Sequence, residues 1–282
     1  MQMKKIILIL TVIFCFMSVK VFSQDRLLKL PDLQKTKLYK SIEEALKESG
    51  NVYRISLSNE GLTALPEELF TFKNLQSLNL SNNPISDLPQ DIKLLKNLQY
   101  LNLEGTSIVN LPSELNTLKN LTSLNLDKVS SLNSMNAFNI IFNIENLREL
   151  SMNSVYIMSL PPQIRKLKNL TKLKMSGCGI AEISKEIGTL RNLKFADLSF
   201  NEISSVPSQI GDLPNLEELY LGGNQITAMP EAIKELRETL LILGLAATES
   251  SSGAYVNNPI KKENVNQIQE WLPNTKIIYI YN

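Results

Sequence analysis

The sequence predicts an α/β solenoid: a horseshoe of stacked coils with a parallel sheet on its concave side and short helical or 3-10 segments on its convex side. Three observations predict it. A pattern of the form LxxLxLxxNxIxxLP returns as "LQSLNLSNNPISDLP" from Leu75, "LQYLNLEGTSIVNLP" from Leu98, "LTKLKMSGCGIAEIS" from Leu170, "LKFADLSFNEISSVP" from Leu193 and "LEELYLGGNQITAMP" from Leu216. The step between successive starts is 23 residues, with 26 between Leu121 and Leu147 and 24 between Leu216 and Leu240. Apolar residues alternate in the first part of each unit and fall three apart after the proline, the periods of a strand and of a tight helical turn.

In chain order, Lys4 and Lys5 precede the apolar run Ile6 to Met17, followed by "SVKVFSQ". Such a run is shorter than the roughly 20 residues that span a bilayer, and its flanks are those of a secretory leader. Residues 1–23 are therefore expected to be a signal peptide cut after Ser23, with Val21 and Ser23 at the positions that recognition reads; an uncleaved anchor is the alternative. Phe14 ahead of Cys15 argues against a lipidated leader, which wants a small residue there. Residues 24–51 are expected to form an N-terminal cap with a helix from about 41 to 49, because Ser41 and Glu44 make a capping box and Gly50 ends it. The repeats are expected over 52–248 and a C-terminal cap over 249–282. Within that second cap, "TESSSGAYVNNP" (248–259) reads as a loop, Val265, Ile268 and Trp271 mark an amphipathic helix, and 276–281 is β-rich.

In LxLxx the L positions point into the coil and the x positions onto the concave face. One coil cannot bury its leucines alone; stacking does so, at about 1.5–3 kcal/mol for each fully buried Leu or Ile. Nine such strands about 4.8 Å apart make a concave sheet of roughly 40 Å, broad enough for a macromolecule. Convex segments such as "LPEELFTFKNL", "LPQDIKLLKNL" and "LPPQIRKLKNL" begin at a proline, which fixes φ and cannot donate to a ladder.

These units resemble the 23-residue leucine-rich repeats of exported bacterial proteins and of Ras-associated scaffolds. The resemblance implies a recognition surface, and an inward side chain at the Asn position that bonds the backbone of adjoining coils. That position holds Glu60, Asn83, Thr106, Val129, Val155, Cys178, Asn201, Asn224 and Thr248. Thr and Cys can stand in; Val cannot, so the ladder is expected to break at Val129 and Val155, each missing bond being worth about 0.5–1.5 kcal/mol. Between them "VSSLNSMNAFNIIFNIENL" (129–147) is a unit with three added residues, and Val129 to Phe138 is read as a bulged rim loop.

The chain has 282 residues and no histidine, which removes imidazole-based nucleophile pairs and zinc sites of the His-containing kinds. "SGCG" at 176–179 fits no phosphate-loop template, and the segment after the repeats is too short for a catalytic domain. No catalytic residue, cofactor or metal site is expected. Loss of the leader would take three lysines and no acid from 29 basic and 28 acidic residues, and this near-neutral balance disfavours nucleic acid as a partner. Cys178 is expected to be buried and structural.

The expected function is recognition of a protein through the concave face, by an exported monomer without a transmembrane span in its mature chain. The alternatives are an envelope or cell-surface protein that self-associates or binds glycan, and an intracellular scaffold should the leader be misread. Candidate contacts are the outward aromatics Tyr100, Phe195 and Tyr220, with Phe200 at a strand exit, since aromatics on a rigid sheet are common interface anchors. Arg148, Lys172, Lys174 and Lys194 form a basic strip beside Asp197, Glu217 and Glu218, which could orient a complementary partner.

Overall fold

Regular alternation in the repeats becomes a stack of short parallel strands, each centred on a buried Leu, Ile or Ala. The computed structural model describes residues 27–248 and 254–280, so the expected leader lies outside the described residues. The N-terminal part contributes α1 (Leu30–Lys35), β1 (Leu38–Tyr39) and α2 (Ile42–Leu46). The repeat strands follow as β2 (Arg54–Ser56), β3 (Ser77–Asn79), β4 (Tyr100–Asn102) and β5 (Ser123–Asn125). After α3 (Ser134–Ile141) come β6 (Glu149–Ser151), β7 (Ser159–Leu160), β8 (Lys172–Lys174), β9 (Glu182–Ile183), β10 (Phe195–Asp197) and β11 (Glu218–Tyr220). The last elements are β12 (Ile242–Gly244), β13 (Ala246–Thr248), β14 (Tyr255–Asn257), α4 (Lys262–Trp271) and β15 (Lys276–Ile278).

The main sheet has eleven strands in the order β1-β2-β3-β4-β5-β6-β8-β10-β11-β12-β15, all pairs parallel. It exceeds the nine repeat strands because each cap adds one: β1 covers the front leucines and β15 the back. Most convex segments are five-residue 3-10 turns, and the prolines that open them sit at φ −65 to −78°. Ser184 takes the same role without a ring, at φ −59°, with its hydroxyl bonded to the Glu186 carboxylate.

Two asparagine ladders tie the coils together. Asn201 shows the first: its Oδ1 accepts from the N–H groups of Cys178 and Ile180 at 2.8 and 3.1 Å, and its Nδ2 donates to Met175 O and Leu198 O at 2.8 and 2.9 Å. Asn83 and Asn224 repeat this, Thr106 donates to Leu103 O, and Cys178 Sγ reaches Met152 O at 3.1 Å. Val129 and Val155 are fully buried in the series and contribute no such bond. The second ladder lies on the opposite flank, ahead of the strands. There Asn74, Asn97, Asn120, Asn146, Asn169, Asn192 and Asn215 each donate to a backbone carbonyl of the preceding coil at 2.7–3.0 Å.

Four local expectations need correction. The N-terminal helix runs only from Ile42 to Leu46; Ser41 does cap it, accepting from Glu44 N–H at 3.1 Å, and a 3-10 turn at Ser49–Asn51 takes over before the first coil. The segment 248–259 is not an open loop, because Ala246–Thr248 pairs antiparallel with Tyr255–Asn257. This hairpin displaces the ladder residue, so Thr248 is exposed and Asn258 does its work, accepting from Ile226 N–H and donating to Leu221 O and Leu245 O. Finally, Val129 to Phe138 is not a bulged loop throughout: Asn133 caps α3 by accepting from Asn136 N–H at 3.2 Å, and Ala137, Phe138 and Ile141 are buried. Eight α-helical residues rise about 12 Å and five 3-10 residues about 10 Å, so the three added residues fit the coil with little change in length.

Two stability predictions follow from the packing. Asn201→Leu strands the Cys178 and Ile180 amides, and urea unfolding is expected to show a loss of about 3 kcal/mol, with a loss below about 1 kcal/mol contradicting the ladder's role. Asn116 Oδ1 is buried without a hydrogen-bond partner, so Asn116→Leu is expected to raise the urea midpoint, by about 1 kcal/mol in free energy.

Candidate functional site

Each concave strand shows two outward side chains on either side of its buried centre, and the parallel register lines these up in two rows across the sheet. In the first row Ser77, Tyr100, Ser123, Glu149, Lys172, Phe195 and Glu218 are successive neighbours. In the second, Asn79, Asn102, Asn125, Ser151, Lys174, Asp197 and Tyr220 follow in the same way. From β3 to β5 the face is thus uncharged and polar, with Arg54 of β2 ahead of it, whereas the back, from β6 onward, carries most of the charges and aromatic rings.

The back half contains the densest set of sequence-predicted residues. The Phe195 and Tyr220 rings lie 5.5 Å apart at a 42° tilt, diagonally across two strands. Lys172 Nζ and Lys174 Nζ sit 5.1 and 5.9 Å from the Phe195 ring centre, and neither lysine is in an ion pair among the described residues. The Tyr220 hydroxyl donates to Glu218 Oε2 at 2.8 Å; burial first, and that carboxylate second, push the phenol up to about 12. Gly244 makes room for this ring, since a Cβ there would lie 2.7 Å from Tyr220 Cδ1. All four of Lys172, Lys174, Phe195 and Tyr220 are half-buried, so they offer area to a partner while held by their neighbours.

Other candidates are placed apart. Tyr100 is four strands from Phe195, about 19 Å away at the usual strand spacing. Burial raises its phenol pKa, and the Glu149 charge adds to this. Arg148 precedes β6 on the N-terminal rim of the sheet and is exposed. Phe200 has φ 54° and its ring packs on Gly223, where an added Cβ would meet it at 2.8 Å; it belongs to the turn beyond β10. Lys194 is paired with Glu217 at 2.6 Å on the rim, which separates Glu217 from Glu218.

Between β5 and β8 a depression of about 200 Å³ is lined by Asp127, Glu149, Lys172 and Lys174 among others. Its carboxylates are engaged: Asp127 accepts from Ser151 Oγ and Asn153 N–H at 2.7 Å each, and Glu149 from Ser123 Oγ at 3.3 Å. Two features carry no signal in the repeat template and were missed by sequence reasoning: the space left by Gly244, and the row Asn79, Asn102 and Asn125. The recurring "LNL" in three successive units does encode that row. Among the described residues no group of three or more Cys, Asp or Glu side chains gathers as a metal site would require. None of the described helices is long and apolar enough to cross a membrane.

Cys178 is fully buried and bonded, and burial pushes its thiol up to about 11. Because the thiolate is the reactive form, the folded protein should be inert to Ellman's reagent at pH 8. In a chain carrying Cys15→Ser, colour is expected only after denaturant is added; rapid labelling of the folded form would show that the ladder position is open.

A sequence profile described as "Leucine-rich repeat region" matches residues 7–154 and 131–238. No curated protein matches the chain. Among solved structures, an internalin (inlF) from Listeria monocytogenes superposes with a TM-score of 0.67 at 19% identity, covering 89% of this chain and 68% of that one. The repeat domain of the type III effector XopL gives 0.64 at 20% identity, over 83% of this chain and 79% of that one. An internalin C2 (inlC2) from Listeria monocytogenes gives 0.57 at 26% identity, over 70% and 82%. At the lower identities these likenesses speak to fold alone.

Proposed function

The chain belongs to the leucine-rich repeat family, and from that premise we propose that it is an exported, non-catalytic, monomeric recognition module that binds a protein partner through its concave face. The family's repeats typically serve as protein-binding modules. The observation that carries the reading is the Phe195 and Tyr220 pair with Lys172 and Lys174 beside it: half-buried rings on a rigid sheet, next to cations that make no ion pair among the described residues. Rings held in this way lose little entropy on binding, which is why such residues become hot spots. Tyr100 and Glu218 are proposed as further contacts on the same face, with Arg148 at its rim; Phe200, packed on Gly223, would act by shaping the exit turn.

Export rests on the Lys4, Lys5 and Ile6 to Met17 pattern, and the proposed mature chain begins at Gln24. In this reading residues 24–51 and 249–282 serve as caps to the repeats of 52–248. N-terminal sequencing of material from the producing cell's exterior should return Gln24, whereas an intact leader in the cytoplasm would favour the scaffold alternative.

A second reading, self-association at a cell surface, draws on a different observation. Met135, Tyr156 and Met158 are 79, 67 and 62% exposed, all near the irregular coil. Concentration-dependent light scattering would favour it over a monomer.

The concave reading is tested by affinity measurement on whatever partner is captured, comparing the parent with Phe195→Ala/Tyr220→Ala. Two hot-spot rings together are expected to cost at least about 2 kcal/mol, roughly 30-fold in affinity. Circular dichroism should be unchanged. Equal affinity in both proteins would sink the proposal.

A further inference from the structure

The front half of the concave face, uncharged from β3 to β5, has a hydrogen-bonding character of its own. Ser77, Asn79, Tyr100, Asn102, Ser123 and Asn125 line an open depression of about 340 Å³, with Arg54 at its front edge, where its guanidinium donates to Gln34 O and Thr36 O at 2.8 and 3.3 Å. Each asparagine there accepts, through Oδ1, from the N–H two residues on: Ser81, Glu104 and Asp127, at 2.9–3.0 Å. An amide whose oxygen is fixed in this way has its nitrogen fixed too. Asn79 Nδ2 reaches Ser56 Oγ at 3.2 Å, but Nδ2 of Asn102 and of Asn125 has no partner among the described residues. The surface therefore presents oriented donors whose own acceptors are already used.

At the N-terminal rim of the same strands the chain shows what such side chains take. Gln76 and Gln99 directly precede β3 and β4, and between them they hold one residue of the N-terminal segment. Leu28 N–H donates to Gln76 Oε1 at 2.9 Å, and Leu28 O accepts from Gln99 Nε2 at 3.0 Å. Gln99 Nε2 also donates to Gln76 Oε1 at 2.9 Å, which locks the two amides together, and Gln76 is only 2% exposed. Side chains from adjacent coils thus grip a main chain laid across them, with no demand on its side chain.

Resting on the concave-face reading above, we propose that the front half of the sheet grips the main chain of an extended partner polypeptide running across the coils. Asn102 and Asn125 donate to its carbonyl oxygens as Gln99 donates to Leu28. From β2 to β5 the span is about 14 Å, the length of roughly four extended residues. The partner residues over β3 to β5 carry no charge, because a buried charge there would meet none of opposite sign, and Arg54 at the β2 end is already held by Gln34 O and Thr36 O. Beyond them an acidic side chain meets Lys172 and Lys174, which make no ion pair among the described residues. A glycan is the poorer fit, since a sugar hydroxyl brings a donor and an acceptor together and the asparagine oxygens here are already engaged.

The probe is a phage-displayed library of random linear 12-residue peptides, panned on the folded chain. Selected peptides are then synthesised, and their affinities measured by fluorescence anisotropy. Asn102→Asp/Asn125→Asp keeps the Oδ1 bonds and the shape while removing both donors, so it should fold as the parent does by circular dichroism. The expected result is neutral-then-acidic sequences that bind this double variant at least tenfold more weakly. Peptides that bind it undiminished but lose affinity for Phe195→Ala/Tyr220→Ala would overturn the front-half grip and leave the concave reading standing. Peptides weakened by neither variant would overturn both. If panning yields no peptide that the Asp variant loses, the inference fails, and a glycan-array signal lost in that variant would assign the site to sugar instead.

Discussion

The structure depends on satisfying buried backbone groups in coils that contain little regular secondary structure. A 3-10 turn and a three-residue strand leave many amides and carbonyls of the connecting turns without a partner inside their own coil. In this protein the missing partners come from side-chain amides one repeat away: Asn83, Asn201, Asn224 and Asn258 on one flank, and the series from Asn74 to Asn215 on the other. Leucine burial drives the stacking, but these amides set its register at one coil per step. The concave rows are a product of that register: because neighbouring coils cannot slip, Lys172 stands beside Phe195 and Asn102 beside Asn125.

Most of the architecture was legible because the template couples apolar spacing directly to burial. The strand centres, the proline-opened turns, the buried Cys178 and the gap at Val129 and Val155 all follow from the period. What escaped were features that interrupt it. The hairpin of β13 and β14 is an insertion between Leu245 and the ladder residue, so counting forward from Leu240 lands on Thr248. The sequence held a clue, since "NNPI" occurs at both 82–85 and 257–260, with Asn83 and Asn258 in matching roles and Ile85 and Ile260 both buried. The Asn–Leu step that ends most convex segments is plain in the repeat, while the bond of that Asn to the preceding coil exists only in three dimensions.

For the candidate site, the sequence identified which residues face outward and not how they meet. Ring contacts depend on the direction each side chain takes across the sheet, and that in turn on a neighbour's size. Gly244 permits Tyr220 to lean as it does; a larger residue would have turned the ring elsewhere. Phe200 illustrates the opposite case, an aromatic counted as available that spends its surface on Gly223. Tyr100 shares the face but not the cluster, because three strands intervene.

The two valines in the buried ladder have a mechanical consequence. On either side of them, Asn83 at the front and Cys178, Asn201, Asn224 and Asn258 at the back cross-link successive turns. Across the middle only apolar packing fills that line, while Asn146 and Asn169 still clasp the opposite flank. The missing bonds lie at the boundary where the uncharged strands of the concave surface give way to the charged ones, which Asp127 spans by bonding Ser151 and Asn153. Between the two halves, register is therefore held by strand pairing and apolar contact where elsewhere a buried side-chain amide would share that work.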